Sequence, residues 1–130
     1  MRAIKGTIVI KGTIVRGLGE GSYYVKKYSG RIKEAIGISP FPGTLNLKTP
    51  SEEIEWLSLS SGIYIRGFEN DERSYGGIEI IGCRVGGLSC WAVVPERGHH
   101  KEVLELISPL DLREELGLRD GDELEVEFPG

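Results

Sequence analysis

The chain has 130 residues, of which 39% are hydrophobic and 28% charged, a length and a balance typical of one soluble globular domain. The net charge of −4 disfavours a broad nucleic-acid surface, and no apolar run reaches the ~18 residues of a membrane span. Because the N-terminus also lacks the apolar core of a signal peptide, we expect a single cytoplasmic domain over residues 1–130.

A β-branched segment opens the chain, and a glycine-rich segment follows it. Residues 8–15 predict one long or bent strand, or two short strands with a bulge at Gly12. Taken alone, the sequence Gly-Leu-Gly-Glu-Gly at 17–21 favours a plain glycine-rich hairpin, and the alternative is a phosphate cradle in which backbone N–H groups approach an anion. Its spacing matches neither a Walker A loop nor a dinucleotide fingerprint.

A short helix is predicted over residues 29–37. Ser29 is a suitable N-cap, apolar residues recur at helical spacing, and Gly37 is placed to end the helix. The helix leads directly into the next distinctive segment, so we expect it to pack against that segment.

The segment after this helix predicts a turn and a polar strand. Pro42 and Gly43 fit the centre of a type II turn, and residues 44–47 alternate polar and apolar side chains as a strand does. On such a strand Thr44 and Asn46 share one face, while the leucines between and after them face the core. Hydroxyl and amide oxygens are donors that Mg²⁺ accepts beside water and phosphate, although a half-buried strand without a ligand is the alternative.

Three segments in the middle of the chain are less distinctive. Residues 51–57 are compatible with a helical turn or a strand, and residues 63–66 predict a strand. Residues 69–74 are polar and charged, so we expect a solvated loop there.

The strongest hairpin signal lies in residues 77–94. Two β-branched runs are joined by Gly86-Gly87, which places Cys83 opposite Cys90 across the predicted ladder. The pair is either a redox-active disulfide or two reduced thiols, and the expected cytosolic compartment favours reduced thiols. We do not expect a metal site, because the sequence has no second cysteine pair and no suitably spaced histidine.

Titratable residues occur in the next two segments. His99 and His100 lie in a polar loop, where histidines are either exposed or act as ligands or acid/base groups, and exposure is favoured. Glu105 interrupts the apolar run 103–107. Such an acid lies on the outward face of a strand, or it is a general base whose pKa is raised by its surroundings.

The chain ends with a predicted helix, a turn and a strand. Ser108 fits an N-cap, with Pro109 at the first helical position, Asp111 at the third and Gly117 at the end. The N-terminus of such a helix can bind an anion. The alternating residues 123–128 predict the last strand.

Short strands, two small helices and 19 glycines together predict a mainly β fold, a small closed or nearly closed barrel with a few short helices. The helix, turn and strand over residues 112–126 look like the ending of swapped-hairpin and cradle-loop barrels. Some of those barrels bind DNA as dimers.

Three motifs make the resemblance more specific. Residues 17–21, 40–47 and 105–113 resemble, in order and spacing, the archaeal CTP-dependent riboflavin kinase family. The resemblance covers nearly the whole chain, without the fused winged-helix domain of some members. It implies a cradle-loop barrel that transfers the γ-phosphoryl group of CTP to the 5′-hydroxyl of riboflavin, giving FMN and CDP.

The resemblance also implies roles for individual residues, carried over by position. Nucleotide binding falls to two segments: Leu18, Gly19, Glu20, Gly21, Ser22 and Tyr23, and Leu110, Asp111, Leu112 and Arg113. Thr44 and Asn46 would hold Mg²⁺, and Glu105 would contact the flavin. Where the family tends to have a threonine before its histidine, this chain has Arg97-Gly98 before His99, so the second flavin contact is undefined.

This chemistry agrees with what the residues themselves offer. Phosphoryl transfer needs positioning and charge neutralisation, which glycine amides, Mg²⁺ and Arg113 supply, and we assign the general base to Glu105 as a hypothesis. The expected partners are CTP or CDP and riboflavin or FMN, with no nucleic acid, no membrane and a monomeric state. The alternatives are a flavin- or nucleotide-binding module without catalysis and a dimeric DNA-binding barrel.

Overall fold

Ten strands and three helices make up the described part of the chain. The structure is a computed structural model that describes residues 2–4, 6–17, 21–58, 62–96 and 102–129. The helices are α1 (Gly21–Ile36), α2 (Ser51–Ser58) and α3 (Leu112–Glu115). The strands are β1 (Arg2–Ile4), β2 (Thr7–Val15), β3 (Leu45–Lys48), β4 (Ile63–Ile65), β5 (Phe68–Glu69), β6 (Ser74–Tyr75), β7 (Ile78–Val85), β8 (Leu88–Pro95), β9 (Val103–Ile107) and β10 (Glu123–Pro129).

A closed antiparallel barrel forms the body of the fold, as predicted. Its strands follow the order β2, β10, β7, β8, β9 and β3, and β3 pairs again with β2. Closure depends on β2, which is one long strand: residues 7–13 pair with β10 and residues 13–15 pair with β3. Among the described residues, no helix is both long enough and apolar enough to cross a membrane.

Alternate residues of the barrel strands fill its interior. The main buried cluster joins residues from all six strands with Ile54 and Leu57 of α2 and Leu112 of α3. Because side chains alternate along a strand, the same strands also present a second face to the outside of the barrel. The sequence left residues 51–57 open between a helical turn and a strand, and the structure shows a helix there. Its buried residues Ile54 and Leu57 help to complete the core.

Helix α1 covers part of that outer face, and it begins earlier than predicted. It starts at Gly21 instead of Ser29, whose hydroxyl donates to the Lys26 carbonyl within the helix at 2.9 Å. Val25, Tyr28 and Ile32 are buried in the outer cluster, at the spacing of one helical face. The predicted glycine-rich hairpin is consequently wrong at Gly21, although the predicted end at Gly37 is confirmed by its φ of +76°.

The predicted helix over 108–117 is also shorter than expected. Only Leu112–Glu115 is helical, and Asp111 is the N-cap, accepting a hydrogen bond from the Glu114 N–H at 3.3 Å. Ser108 is buried instead, and its hydroxyl donates to the Ser89 carbonyl at 3.1 Å. Because a single turn aligns few peptide dipoles, this helix offers little of the dipole that attracts an anion to a longer helix.

The predicted hairpin of β7 and β8 is confirmed. Gly86 and Gly87 have φ values of +52° and +80°, as a two-residue turn between strands requires. Cys83 and Cys90 face each other with 3.0 Å between their sulfur atoms, and both are buried without a disulfide between them. The hydrogen bond with Cys90, together with burial, raises the pKa of the Cys83 thiol well above its ordinary value. The thiols are thus core residues.

The segment 69–74 is not simply a solvated loop, because β5 and β6 form a short hairpin there. The side chain of Asn70 closes its tip, accepting from the N–H groups of Glu72 at 2.9 Å and Arg73 at 3.0 Å. This hairpin lies outside the barrel sheet, and its aromatic residues Phe68 and Tyr75 pack in the outer cluster with α1.

Candidate active site

Strand β3 and Thr44, the residue before it, present the predicted magnesium ligands at the barrel surface. Leu45 and Leu47 are buried, whereas Thr44 and Asn46 are half-buried, so the predicted alternation is confirmed. The Asn46 amide nitrogen donates to the Thr44 carbonyl at 3.4 Å. The Asn46 carbonyl oxygen is the opposite end of the same amide and is the atom suited to a cation.

Strand β9 brings Glu105 to the same place. Glu105 pairs with Asn46 across the ladder, and it is half-buried between the buried residues Leu104 and Leu106. The Thr44 hydroxyl donates to Glu105 Oε1 at 3.4 Å. Two strands that lie far apart in the sequence therefore place a hydroxyl, an amide and a carboxylate together.

Gly17 connects this group to the glycine-rich segment. A Cβ atom added at Gly17 would lie 2.5 Å from Asn46 Nδ2, so the backbone at Gly17 runs directly against the Asn46 side chain. Leu18, Gly19 and Glu20 lie outside the described residues. Gly21, Ser22 and Tyr23 form the start of α1, where the first backbone N–H groups have no partner within the helix.

A cleft of about 90 Å³ lies beside Thr44 and includes the second predicted nucleotide segment. Its lining comprises Phe41, Gly43, Thr44, Leu45, Leu106, Ser108, Leu110, Asp111, Leu112 and Arg113. The two parts of this lining are tied together by the Phe41 N–H, which donates to the Ser108 carbonyl at 2.7 Å. Arg113 pairs with Asp120 at 2.9 Å.

The sequence patterns predicted no role for Phe41, and they did not place Ser108 at this cleft. Phe41 and Leu110 are large apolar side chains with 40% and 42% of their surface exposed, and both line this cleft. The position of Phe41 between two prolines was the available signal in the sequence for an apolar binding wall. Arg97, Gly98, His99 and His100 lie outside the described residues, so the second flavin contact stays undefined.

Comparison with known proteins decides the family. The family model for CTP-dependent riboflavin kinase, described as "Domain of unknown function DUF120", matches residues 14–128. The chain belongs to this family. The match confirms the resemblance drawn from the three motifs.

Curated relatives of this family come from several archaea. The chain is 45% identical over 129 residues to a riboflavin kinase of Archaeoglobus fulgidus, covering 95% of this chain and 55% of the relative. It is 42% identical over 127 residues to one of Pyrobaculum arsenaticum, covering 93% of this chain and 60% of the relative. It is 41% identical over 130 residues to one of Thermoplasma volcanium, covering 96% of this chain and 59% of the relative. The chain thus spans little more than half the length of these riboflavin kinases.

The donor set on β3 and β9 fits the magnesium ion that the family implies. Within the described ranges, no three His, Cys, Asp or Glu side chains form a group that could hold a metal by themselves. Mg²⁺ keeps several water ligands and is usually bound by one or two carboxylates together with substrate phosphates. The neutral oxygens of Thr44 and Asn46 suit such a partly protein-held ion, and the carboxylate of Glu105 adds negative charge beside them. The roles of these residues remain predictions.

The contact between Gly17 and Asn46 leads to a prediction for this family member. In Gly17→Ala the added methyl group would displace the end of the Asn46 side chain, which can move without disturbing the core. We expect the Mg²⁺ concentration for half-maximal activity to rise about tenfold, with the thermal midpoint nearly unchanged.

Rates measured against Mg²⁺ concentration, with thermal unfolding in parallel, test this expectation. Gly30→Ala is the matched control, because a Cβ atom there meets nothing within 4 Å. An unchanged Mg²⁺ curve for Gly17→Ala would show that the position of Asn46 is unimportant.

Proposed function

We propose that this chain catalyses the transfer of the γ-phosphoryl group of CTP to the 5′-hydroxyl of riboflavin, giving FMN and CDP. The observation that carries the proposal is the convergence of Thr44, Asn46 and Glu105 with the backbone at Gly17. It joins the candidate cation ligands, a candidate base and the start of the glycine-rich segment in one place.

The nucleotide would lie between the two segments assigned to it. Backbone N–H groups from Leu18 to Tyr23 would receive the phosphates, because peptide dipoles and unpaired N–H groups favour an anion at the start of a helix such as α1. The cleft beside Leu110–Arg113 would receive the remainder of the nucleotide, with Phe41 and Leu110 as apolar walls.

Thr44 Oγ1 and Asn46 Oδ1 would hold Mg²⁺ near the phosphates. When bound, the ion would neutralise part of the negative charge of the phosphates. The Arg113 guanidinium would add positive charge to the same cleft, and its ion pair with Asp120 restricts where that charge lies.

Glu105 would accept the proton of the riboflavin 5′-hydroxyl. As that oxygen forms its bond to the γ-phosphorus, the bond from the γ-phosphorus to the β,γ-bridging oxygen breaks, and CDP leaves. The carboxylate is suited to this role because its neighbours along the strand are buried leucines and because Thr44 Oγ1 orients one of its oxygens.

One experiment tests the activity directly. The protein is incubated with riboflavin, Mg²⁺ and each of ATP, CTP, GTP and UTP in turn, and FMN is measured. We expect FMN with CTP and much less with the other three. FMN from another nucleotide would overturn the CTP dependence, and riboflavin binding without FMN from any nucleotide would favour a non-catalytic flavin module.

A further inference from the structure

The hairpin of β5 and β6 is joined to α1 by a series of stacked cations and rings, here called the hairpin stack (Arg31, Phe68, Tyr75 and Arg73). The Arg31 guanidinium carbon lies 3.8 Å from the centroid of the Phe68 ring. Phe68 stacks on Tyr75 with 4.7 Å between centroids, and the Arg73 guanidinium lies 4.9 Å from the Tyr75 ring. Arg31 belongs to α1, so the stack joins the two elements.

Arg73 extends this connection to the beginning of α1. Its guanidinium carbon lies 5.5 Å from the centroid of the Tyr24 ring, and its Nη2 donates to Tyr24 Oη at 3.4 Å. Tyr24 lies in the first turn of the helix, three residues after Gly21. One turn further on, the Tyr28 hydroxyl donates to the Gly76 carbonyl at 2.6 Å. The hairpin and Gly76 after it therefore contact α1 from its first turn to Arg31 in its third turn.

The backbone at the tip of the hairpin holds Arg73 in place for this contact. Asn70 Oδ1 accepts from the N–H of Arg73 at 3.0 Å, and the Asn70 N–H donates to the Arg73 carbonyl at 3.1 Å. These two bonds close the turn around Arg73. An otherwise long and mobile side chain is thus anchored at its base and packed against two aromatic rings.

We propose that Arg73 is a positioning residue for nucleotide binding, acting through Tyr24 on the first turn of α1. The proposal rests on the proposed function, in which backbone N–H groups at the start of α1 receive phosphate. Those N–H groups bind an anion well only if the helix turn that carries them is ordered before binding. Arg73 supplies that order from outside the cleft and does not itself contact the reacting atoms.

The test compares Arg73→Ala with Arg84→Ala. Arg84 is an exposed arginine of β7 whose Nη2 donates to the Gly87 carbonyl at 2.9 Å, in the turn between β7 and β8. Amide hydrogen exchange of residues 21–28 is measured without nucleotide, and KM for CTP, KM for riboflavin, kcat and the thermal midpoint are measured on the same proteins. For Arg73→Ala we expect faster exchange confined to residues 21–28.

In the same variant we expect the KM for CTP to rise about two- to fivefold, the range that a cation–π contact at an exposed site is worth. The kcat and the KM for riboflavin should stay near wild type, and Arg84→Ala should match wild type throughout. Arg73→Lys keeps a cation beside the rings and should restore part of the CTP affinity.

Two results would overturn the proposal. One is unchanged exchange of residues 21–28 or an unchanged KM for CTP in Arg73→Ala. The other is a general loss of kcat that follows a lowered thermal midpoint, which would indicate a merely structural role. If the wild-type protein made no FMN from CTP, the proposed function would fail, whereas the exchange experiment would still decide whether Arg73 orders α1.

Discussion

Replacing Glu105 with glutamine should lower kcat for riboflavin phosphorylation by about 10²- to 10⁴-fold, the range that a general base contributes. Glutamine keeps the size of the side chain and can still accept a hydrogen bond from Thr44 Oγ1, which lies 3.4 Å from Glu105 Oε1. It cannot take the proton of the 5′-hydroxyl. The loss should therefore appear in kcat, with the KM for CTP and the thermal midpoint close to wild type.

Steady-state rates of FMN formation at saturating CTP and Mg²⁺ measure this effect. Glu127→Gln is the matched control, since Glu127 is an exposed glutamate on another barrel strand, β10. Turnover within a few-fold of wild type in Glu105→Gln would dismiss the base role and leave Glu105 as a flavin contact at most.

Replacing Asn46 with alanine should raise the Mg²⁺ concentration for half-maximal activity by about tenfold or more. Loss of a residue that only supports a metal ligand typically costs 10- to 100-fold in affinity or activity, and Asn46 is proposed as a ligand itself. Because Mg²⁺ keeps its phosphate and water ligands, saturating Mg²⁺ should restore much of the rate.

Initial rates across a Mg²⁺ series at fixed CTP measure this requirement. Lys48→Ala is the control, because Lys48 is an exposed residue two positions along the same strand. A Mg²⁺ curve for Asn46→Ala that overlays wild type would remove Asn46 from the metal site. If Gly17→Ala then still raised the Mg²⁺ requirement, its effect would have to come from the glycine-rich segment itself.

Local patterns in the sequence predicted several elements correctly. The alternation of Leu45 and Leu47 with polar residues indicated which face of β3 is buried, because successive side chains of a strand point in opposite directions. Gly86-Gly87 indicated a tight hairpin because both positions need positive φ, which glycine adopts without steric cost.

The errors occurred where contacts distant in the sequence override local preference. Gly21 and Ser22 are poor helix formers, yet α1 begins there because its apolar face packs against buried residues of the barrel such as Ile78 and Ile80. The charged segment 69–74 is exposed as expected, yet Phe68 and Tyr75 pair and stack across it, so that the segment is the tip of a hairpin. Neither contact leaves a periodic signal in the sequence.

The sequence by itself determined the family, the mainly β class and the residue types available for phosphoryl transfer, because motif order, strand period and side-chain chemistry are properties of the chain. Only the tertiary structure decided that Asn46 pairs with Glu105, that Gly17 lies against Asn46 and that Arg73 reaches Tyr24. Thr44 and Glu105 are 61 residues apart, and the register that joins them follows from how the strands close around a shared core. Local sequence sets the face on which a side chain lies, whereas its partner across the sheet is set by the packing of the whole barrel.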